Sequence, residues 1–259
     1  NEIHDVMREL HDGGAIYNTG TLTLSQLELA GNVASGGHKG GAIYNKGDAS
    51  LTEVWAHDNS AKEGGALWIS GNSNQFTLDK VTLSANTASE KGGAIFGANN
   101  ASLSGSNVTL SGNSAGTSGG AIFVDASNWT LSSSTIAYNH AGVSGGAFFA
   151  DSANNIKLKS SILASNTQGG GFTPNNSNIA LQSKGYNIAT ESTPWLDKSG
   201  DIISSAALLK LDTLAFNGAS IPTHALLAGS TAIDVGAPDA ASTDARGIAR
   251  VGRPDIGAY

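Results

Sequence analysis

The chain has 259 residues and carries 34 glycines, 5 prolines and no cysteine, which excludes disulfides and thiolate metal sites. Its formal net charge is −7 and no cluster of Lys and Arg is visible, so a nucleic-acid partner is not expected. No apolar run approaches the roughly 18 residues of a membrane-spanning helix, so we expect no transmembrane segment.

Residues 1–12, NEIHDVMRELHD, place Ile3, Val6, Met7 and Leu10 at the spacing of one helical face. The pattern predicts a short amphipathic helix that caps the N-terminal end of the fold. The alternative is the remnant of an earlier, incomplete repeat. The chain starts without an initiator Met or a signal peptide, so we expect a processed or trimmed start.

The motif GGAIYN and its variants return at a nearly constant interval from residue 13 onwards. The copies are GGAIYN (13–18), GGAIYN (40–45), GGALWI (64–69), GGAIFG (92–97), GGAIFV (119–124) and GGAFFA (145–150). A degenerate copy, GGGF, lies at 169–172. Spacings of 24 to 28 residues over seven copies are typical of a solenoid, in which each turn, or coil, stacks on the previous one.

A second landmark is an asparagine that recurs every 26 or 27 residues. The six positions are Asn32, Asn59, Asn86, Asn113, Asn139 and Asn166. Positions −3, −5, −8 and −10 before each are mostly apolar, as Leu29, Leu27, Leu24 and Leu22 show. Alternation within each pair predicts a strand with one buried face, and the odd gap between −5 and −8 predicts a bend. With the GGA segment as third strand, residues 13–190 are predicted to form an all-β parallel β-helix of three short strands per coil.

The asparagines are predicted to form a structural ladder. A side-chain amide can bond to its own kind in the coils above and below, or to the backbone of a turn. Asn also tolerates the left-handed conformation that a sharp corner requires. The paired glycines are predicted to serve corners or close packing of the coils.

One aromatic per coil follows the GGA motif, and it forms the candidate binding stripe. The stripe is Tyr17, Tyr44, Trp68, Phe96, Phe123 and Phe149. The preceding positions are Ile16, Ile43, Leu67, Ile95, Ile122 and Phe148. In a strand the two series point to opposite faces, so the aliphatics would fill the core and the aromatics would lie outside. An exposed stripe would bind a partner or stack on sugar rings. In the alternative, the aromatics stack inside beside small alanines, and the aliphatics lie under a loop.

Asp125 and Asp151 are the weak catalytic candidates, since each follows the aromatic of its coil by two residues. Adjacent carboxylates can share a proton or bind a cation, but they are more often solvated turn residues. The six histidines do not line up against the asparagines, so we expect no histidine metal site. These histidines are His4, His11, His38, His57, His140 and His224. Neither GxSxG nor HExxH is present.

Residues 191–259 are predicted to form irregular final coils and a C-terminal cap. Acids and arginines alternate in its last part, which favours ion pairs that fix the cap. The residues of this ion-pair cap are Asp234, Asp244, Arg246, Arg250 and Asp255. Calcium bound by Asp234 and Asp244 is the alternative. The nearby arginines argue against it, so we expect no metal and no cofactor.

Two parts of the chain resemble known families. The GGAI[YFW] repeat with its spaced Asn resembles the repeat of right-handed parallel β-helix surface proteins, which include the polymorphic outer-membrane proteins of chlamydiae. The C-terminal part resembles the choice-of-anchor Q domain of secreted bacterial β-helix proteins. The matching residues are THALLAGSTAID (223–234), Gly236, TDARG (243–247), Arg250 and DIGAY (255–259). That family usually has a Glu after DIGAY and this chain ends at Tyr259, so we expect an anchor that is absent or removed.

The resemblance implies a secreted or surface-displayed bacterial protein and no uniform chemistry. We therefore expect a non-catalytic secreted or cell-surface β-helix protein with a structural, adhesive or fibre-assembly role. Expected partners are a cell-surface or polysaccharide ligand, or further copies of the chain, end to end or laterally. The alternative is a carbohydrate-active enzyme, a polysaccharide lyase or glycosidase, or a carbohydrate-binding module on the same scaffold.

Overall fold

The computed structural model is a parallel β-solenoid of about six turns. It describes residues 2–4, 7–8, 11–71, 74–125, 128–151, 155–191, 193 and 195–259, and for 2–4, 7–8 and 155 the backbone alone. This confirms the predicted all-β fold class, while the right-handed sense stays a prediction. Among the described residues there is no helix with the length and hydropathy of a membrane-spanning segment.

Three sheets run along the solenoid axis. Sheet A contains the strand segments that precede each ladder asparagine: Glu2–His4, Leu22–Ala30, Ala49–His57, Gln75–Ser84, Ser102–Ser106, Thr109–Ser111, Asn128–Ser132, Thr135–Ala137, Asn155–Lys159, Ile162–Ala164, Gln182–Ser183, Ile188–Ala189 and Ile202–Ile203. Sheet C is built from the GGA motifs: Ile16–Asn18, Ile43–Asn45, Leu67–Ser70, Ile95–Ala98, Ile122–Val124 and Phe148–Ala150.

Sheet B consists of short strands that follow the asparagines, and the sequence analysis missed it. Its strands are Met7–Arg8, Val33–Ala34, Ser60–Glu63, Thr87–Lys91, Ser114–Ala115, His140–Ala141, Thr167–Gln168 and Thr173–Pro174. Apart from the last pair in sheet B, which is antiparallel, the strand pairs of these three sheets are parallel. The register is kept from coil to coil, with one shift in sheet B between Ala88 and Lys91. Most of these strands have two residues, and such short strands carry too little alternation to be recognised in a sequence.

Each coil turns at three corners where a residue has positive φ. The first glycine of each GGA motif makes one corner, with φ of 67° at Gly40 and 67° at Gly92. The second lies six residues before each ladder asparagine and accounts for the odd gap in the apolar pattern, with φ of 52° at Lys80. The third is the residue just before the asparagine, such as Ala85 with φ of 54°. The left-handed conformation expected of the asparagine therefore belongs to its neighbour, because the asparagine side chain points into the coil.

The ladder asparagines form one continuous row of hydrogen bonds inside the solenoid. Asn86 Oδ1 accepts from the backbone N–H and the Nδ2 of Asn59, at 3.1 and 2.9 Å. Asn86 Nδ2 then donates to Asn113 Oδ1 and to the carbonyl of Ala56, both at 3.0 Å. The same pattern links the other rungs, and every ladder asparagine is 0 or 1% exposed. Since each buried amide has its partners, the row fixes the register of coil on coil.

The second glycine of each motif lets neighbouring coils approach closely. A Cβ built on Gly93 would lie 2.1 Å from the carbonyl oxygen of Gly120 in the next coil. On Gly41 it would lie 2.0 Å from the carbonyl oxygen of Gly65. No side chain fits at such distances, so the motif requires glycine there for packing and, at its first position, for the turn.

The predicted N-terminal helix is wrong for the described residues of 1–12. Glu2–His4 and Met7–Arg8 are strands that pair with the next coil, with Ile3 opposite Leu29 and Met7 opposite Val33. These partners lie one period away, so the segment is the end of an earlier coil, which was the alternative. Backbone pairing to a ready sheet edge overrides a short helical pattern that has nothing to pack on.

The C-terminal segment, residues 204–259, lies along the side of the solenoid. It contains the helix Ala206–Leu209 and the antiparallel strands Leu211–Ala215 and Thr223–Leu226. Its contacts span several coils, from Trp55 against Phe216, with ring centroids 5.3 Å apart, to Ser160 Oγ, which accepts from the backbone N–H of Ala237. The end of the solenoid is instead reached by Trp195, which joins the main core.

The outward positions of sheet A beneath this segment are buried and uncharged. They are Thr82, Thr109, Thr135 and Ile162, each 0 or 1% exposed. The equivalent positions in the first two coils are Glu28 and Trp55. Of these six positions only Glu28, in the first coil, is charged.

Replacing Asn86 by Ala should destabilise the protein by about 2–6 kcal/mol, because it leaves two buried donors of Asn59 unpaired at about 1–3 kcal/mol each. Urea unfolding followed by circular dichroism measures the change. The matched control is Thr87→Ala, an exposed position next to Asn86, which should leave the unfolding midpoint nearly unchanged. Equal effects of the two substitutions would contradict a stabilising role of the row.

Candidate functional site

The aromatic stripe is a stack of nearly parallel rings. Ring centroids of successive coils lie 4.3 to 6.3 Å apart, with interplanar angles of 5 to 15°. The parallel register of sheet C places each ring directly beside the next. Offset stacking at such distances adds to the energy of burial.

The stack lies outside the main core but is largely buried. The aliphatic residues of the motif are in the main core, as expected, with Ile43, Leu67 and Ile122 at 0% exposed. The aromatics form a separate cluster in which Trp68 is 5% and Phe123 is 0% exposed. The expected continuous display surface is therefore not there, because the rings cover each other. The exposed member is the first ring, Tyr17, at 49%, and Phe149 at the other end is partly covered.

Lysine side chains border the stack. Three ammonium groups lie 4.4 to 5.1 Å from ring centroids: Lys39 over Trp68, Lys46 over Tyr44, and Lys91 over Phe123. Lys39 also lies 3.0 Å from a carboxylate oxygen of Glu63. Their aliphatic stems and charged ends add a polar rim to the apolar rings.

Asp125 and Asp151 follow adjacent strands of sheet C, where Val124 pairs with Ala150. Both are exposed. The Asp151 carboxylate lies 3.5 Å from Lys91 Nζ, and this contact makes it part of the lysine rim. A catalytic role of the two residues stays a prediction.

His11 and His38 line one surface pocket with Asp12 and Tyr17, and His38 Nδ1 lies 3.4 Å from a carboxylate oxygen of Asp12. His57 bonds to Glu28 and Asp58 and stacks on Trp55, with centroids 3.7 Å apart. His140 lies 3.0 Å from the hydroxyl of Thr167. In the described ranges no three of His, Asp and Glu form a group that could hold a metal ion.

The predicted ion-pair cap contains one strong ion pair. Arg246 donates from Nε and from a terminal nitrogen to the same oxygen of Asp244, at 2.8 and 2.6 Å. The other Asp244 oxygen accepts the backbone N–H groups of Arg246 and Ile248. Asp255 accepts from the backbone N–H of Asp234. Because both Asp244 oxygens have these partners, they are not free for the calcium alternative, which stays untested.

Arg250 binds backbone instead of a carboxylate. Its guanidinium donates to the carbonyl oxygens of Asp255, Gly257 and Tyr259, at 2.8 to 3.2 Å. A longer contact of 3.4 Å reaches Asn107 Oδ1 on the solenoid. One arginine thus ties the final residues to one another and to the side of the rod. The burial of Arg250 lowers its pKa, and the nearby Asp244 and Asp255 charges oppose this.

His224 is a buried contact between the C-terminal segment and sheet A. Its ring nitrogens lie 2.9 Å from the Ser111 hydroxyl and 2.6 Å from the Asp212 carbonyl oxygen. Burial lowers the pKa of His224 below its usual 6.5, and the contacts with Asp212 offset part of that shift. The neutral imidazole is therefore the form that fits the interface.

Two surfaces of the described chain were missed by the sequence analysis. One is the hydroxyl face, the outward side of the first part of sheet A. Its two rows are Thr23, Ser50, Thr77, Ser104, Thr130 and Lys157, and Ser25, Thr52, Asp79, Ser106, Ser132 and Lys159. The signal was present in the polar positions −7 and −9 before each asparagine.

The other missed surface is a polar pocket at the C-terminal end of the asparagine row. It lies between residues 174–180 and the segment that contains Glu191 and Trp195. Asn166 bonds here to Asn176, which follows it by 10 residues instead of 26 or 27. The broken period hid this rung, although the composition PNNSN (174–178) marks a polar turn.

Two stretches of the chain, residues 80–98 and 107–125, match the family model of the Chlamydia polymorphic membrane protein repeat. Each stretch contains a ladder asparagine and a GGAIF motif. The predicted resemblance of the repeats is therefore confirmed, and it suggests a β-helix protein of the bacterial outer membrane or cell surface. No curated protein and no solved structure gave a significant match to the chain. The resemblance of the C-terminal segment to the choice-of-anchor Q domain stays a prediction.

Truncation of the fully buried Phe123 to Ala should cost about 3–5 kcal/mol in unfolding free energy, because it opens a cavity in the stack. Truncation of the half-exposed Tyr17 to Ala should cost about 1 kcal/mol, the value of one stacked pair. Urea unfolding of both variants gives the comparison. A Tyr17 variant that loses as much stability as the Phe123 variant would contradict mutual covering of the rings.

His224 should make the stability of the protein depend on pH. Because its folded pKa is lowered, the unfolded chain binds the proton more readily, so stability falls as pH drops below 6.5 towards the folded pKa. Above 6.5 this contribution is fully present. Urea unfolding on both sides of pH 6.5, for the wild type and for His224→Gln, measures it. The variant should show a weaker loss on acidification, and an unchanged pH profile would refute the assignment.

Proposed function

We propose that the chain is an adhesive, non-catalytic β-helix module of a bacterial cell-surface protein. The coarser part of this statement, a β-helix protein of the outer membrane or cell surface, is supported by the matched repeats, residues 80–98 and 107–125. The adhesive role is our inference from how the repeat uses its residues. The observation that carries it is the separation between an invariant interior and a variable outer face.

The repeated residues are buried in the contacts between neighbouring coils. The asparagine row is buried at 0 to 1% exposure, and the inner rings of the aromatic stack at 0 to 7%. These contacts make a stiff rod whose register does not depend on its surface side chains. The rod can therefore carry different surface residues without a cost to the fold.

The hydroxyl face is the surface that this scaffold presents. Its residues lie in two parallel rows along the rod, and they change from coil to coil, as Thr52, Asp79 and Ser106 show at one register position. Side chains at this spacing repeat every ~4.8 Å along the axis. A regular, rigid array of hydroxyl and charged groups favours many weak polar contacts with one extended partner, which is the chemistry of adhesion.

The test is attachment of protein-coated fluorescent beads to cultured epithelial cells. Beads that carry the chain should attach more often than beads coated with albumin. The triple variant Thr77→Lys, Ser104→Lys, Thr130→Lys changes three neighbouring positions of the hydroxyl face and should lose most of the attachment. Attachment at the albumin level with the unaltered chain would refute the adhesive role.

A matched control places the same three lysines on another face. Thr87 and Ser114 are neighbouring positions of one row on sheet B, a different sheet from the hydroxyl face, and Thr167 lies two coils further along that row, beyond His140. The variant Thr87→Lys, Ser114→Lys, Thr167→Lys should attach like the unaltered chain. If both triple variants lose attachment equally, the effect is one of net charge and the hydroxyl face is not the adhesive surface. Self-association end to end or laterally stays a prediction.

A further inference from the structure

The asparagine row ends in a polar pocket of about 370 Å³. The last rung is the bond from Asn166 Nδ2 to Asn176 Oδ1, at 2.9 Å. This bond fixes the orientation of the Asn176 amide, so its Nδ2 group points onward along the row. In an inner rung that group would donate to the next asparagine and to a backbone carbonyl. In Asn176, which is 1% exposed, Nδ2 has no hydrogen-bond partner.

Three buried oxygens without partners, two acceptors and one hydroxyl, belong to residues that line the same pocket. They are Asn175 Oδ1, Glu191 Oε1 and Thr193 Oγ1. With Asn176 Nδ2, they make four of the nine buried side-chain atoms of the described chain that lack a hydrogen bond. Buried polar atoms are normally paired, and each one left unpaired costs free energy. Their convergence on one pocket therefore indicates a ligand that completes them.

The carboxyl group of Glu191 gives the pocket its acidic character. Burial raises the pKa of Glu191, and the backbone and side-chain N–H groups of the nearby Asn176 lower it in part. The pocket is also lined by Trp195, which is 8% exposed and supplies an apolar wall. A volume of this size is in the usual range of small-ligand pockets.

The mixture of donor and acceptors selects the chemistry of the ligand. A bare cation would suit the three oxygens but would face the N–H groups of Asn176, and an anion would face Glu191. A hydroxyl group satisfies both, since it accepts from Asn176 Nδ2 and donates to Glu191 Oε1. Asn175 Oδ1 and Thr193 Oγ1 also lack partners, so a ligand with several hydroxyl groups suits the pocket better than one with a single hydroxyl.

We propose that this pocket binds a small polyhydroxylated ligand, a sugar residue, with Asn176 and Glu191 as its central contacts and Trp195 as the apolar wall. The site lies at the end of the rod and is separate from the hydroxyl face. Its existence does not depend on the adhesive role. Loss of one therefore leaves the other in place.

Saturation-transfer NMR with glucose, galactose and N-acetylglucosamine tests the proposal on the whole chain. At least one of these sugars should give saturable binding and should alter the fluorescence of Trp195. Glu191→Ala should weaken that binding about tenfold or more, because a hydrogen bond to a charged group is lost. Thr193→Val, which preserves shape and charge, should weaken it less, and it serves if the first variant does not fold.

The control is Glu90→Ala, which removes a half-exposed carboxylate on sheet B and should bind like the unaltered chain. Trp195→Phe should abolish the fluorescence change while it keeps the NMR signal. Absence of binding for all three sugars would overturn the proposal. The pocket would then hold only water. Thermal stabilisation by calcium chloride without any sugar response would overturn it in favour of a cation site.

Discussion

The buried row of asparagines is the interaction on which the rest of the fold depends. Inside the rod, each side-chain amide accepts hydrogen bonds from the asparagine of the coil before it and donates one to the asparagine of the coil after it. A slip of one residue between two coils would leave these amides unpaired in a dry interior, so the row sets a single register. That register then imposes the other repeats, because it brings the second glycines into contact and the aromatic rings face to face.

This dependence explains why the sequence predicted so much of the fold. Because equivalent positions of successive coils stack on each other, residues that are in contact are separated by a nearly constant number of residues along the chain. This spacing is visible in the sequence. The bend between the two strands before each asparagine was visible because the apolar alternation skips one residue there, where Lys80 and its equivalents have positive φ. The strands of sheet B were not recognised because most of them have two residues, which show no alternation.

What the sequence did not predict is the contact that has no period. Thr82 and Thr135 face outward on sheet A, and the returning C-terminal segment is what buries them, while Trp55 in an earlier coil is partly covered by Phe216. Such packing brings together residues 140 positions apart, such as Thr82 and Pro222, and no regular spacing in the sequence predicts it. The exposure of the aromatic stripe could not be predicted for a related reason. Alternation places the rings outside the main core, but it does not tell whether their own neighbours cover them.

The direction of the asparagine row has a consequence for where chemistry can lie. Each inner Nδ2 donates to the asparagine of the next coil and to a carbonyl of the preceding one, and the row ends at Asn176, whose Nδ2 has no hydrogen-bond partner. Evolution can close such an end with an apolar cap, with another acceptor in contact, or with a ligand. This chain brings Asn175, Glu191 and Thr193 to that donor and leaves a pocket between them. The hydrogen-bonding pattern that links the inner rungs thus leaves an unpaired donor at the last rung, and this is where the proposed ligand binds.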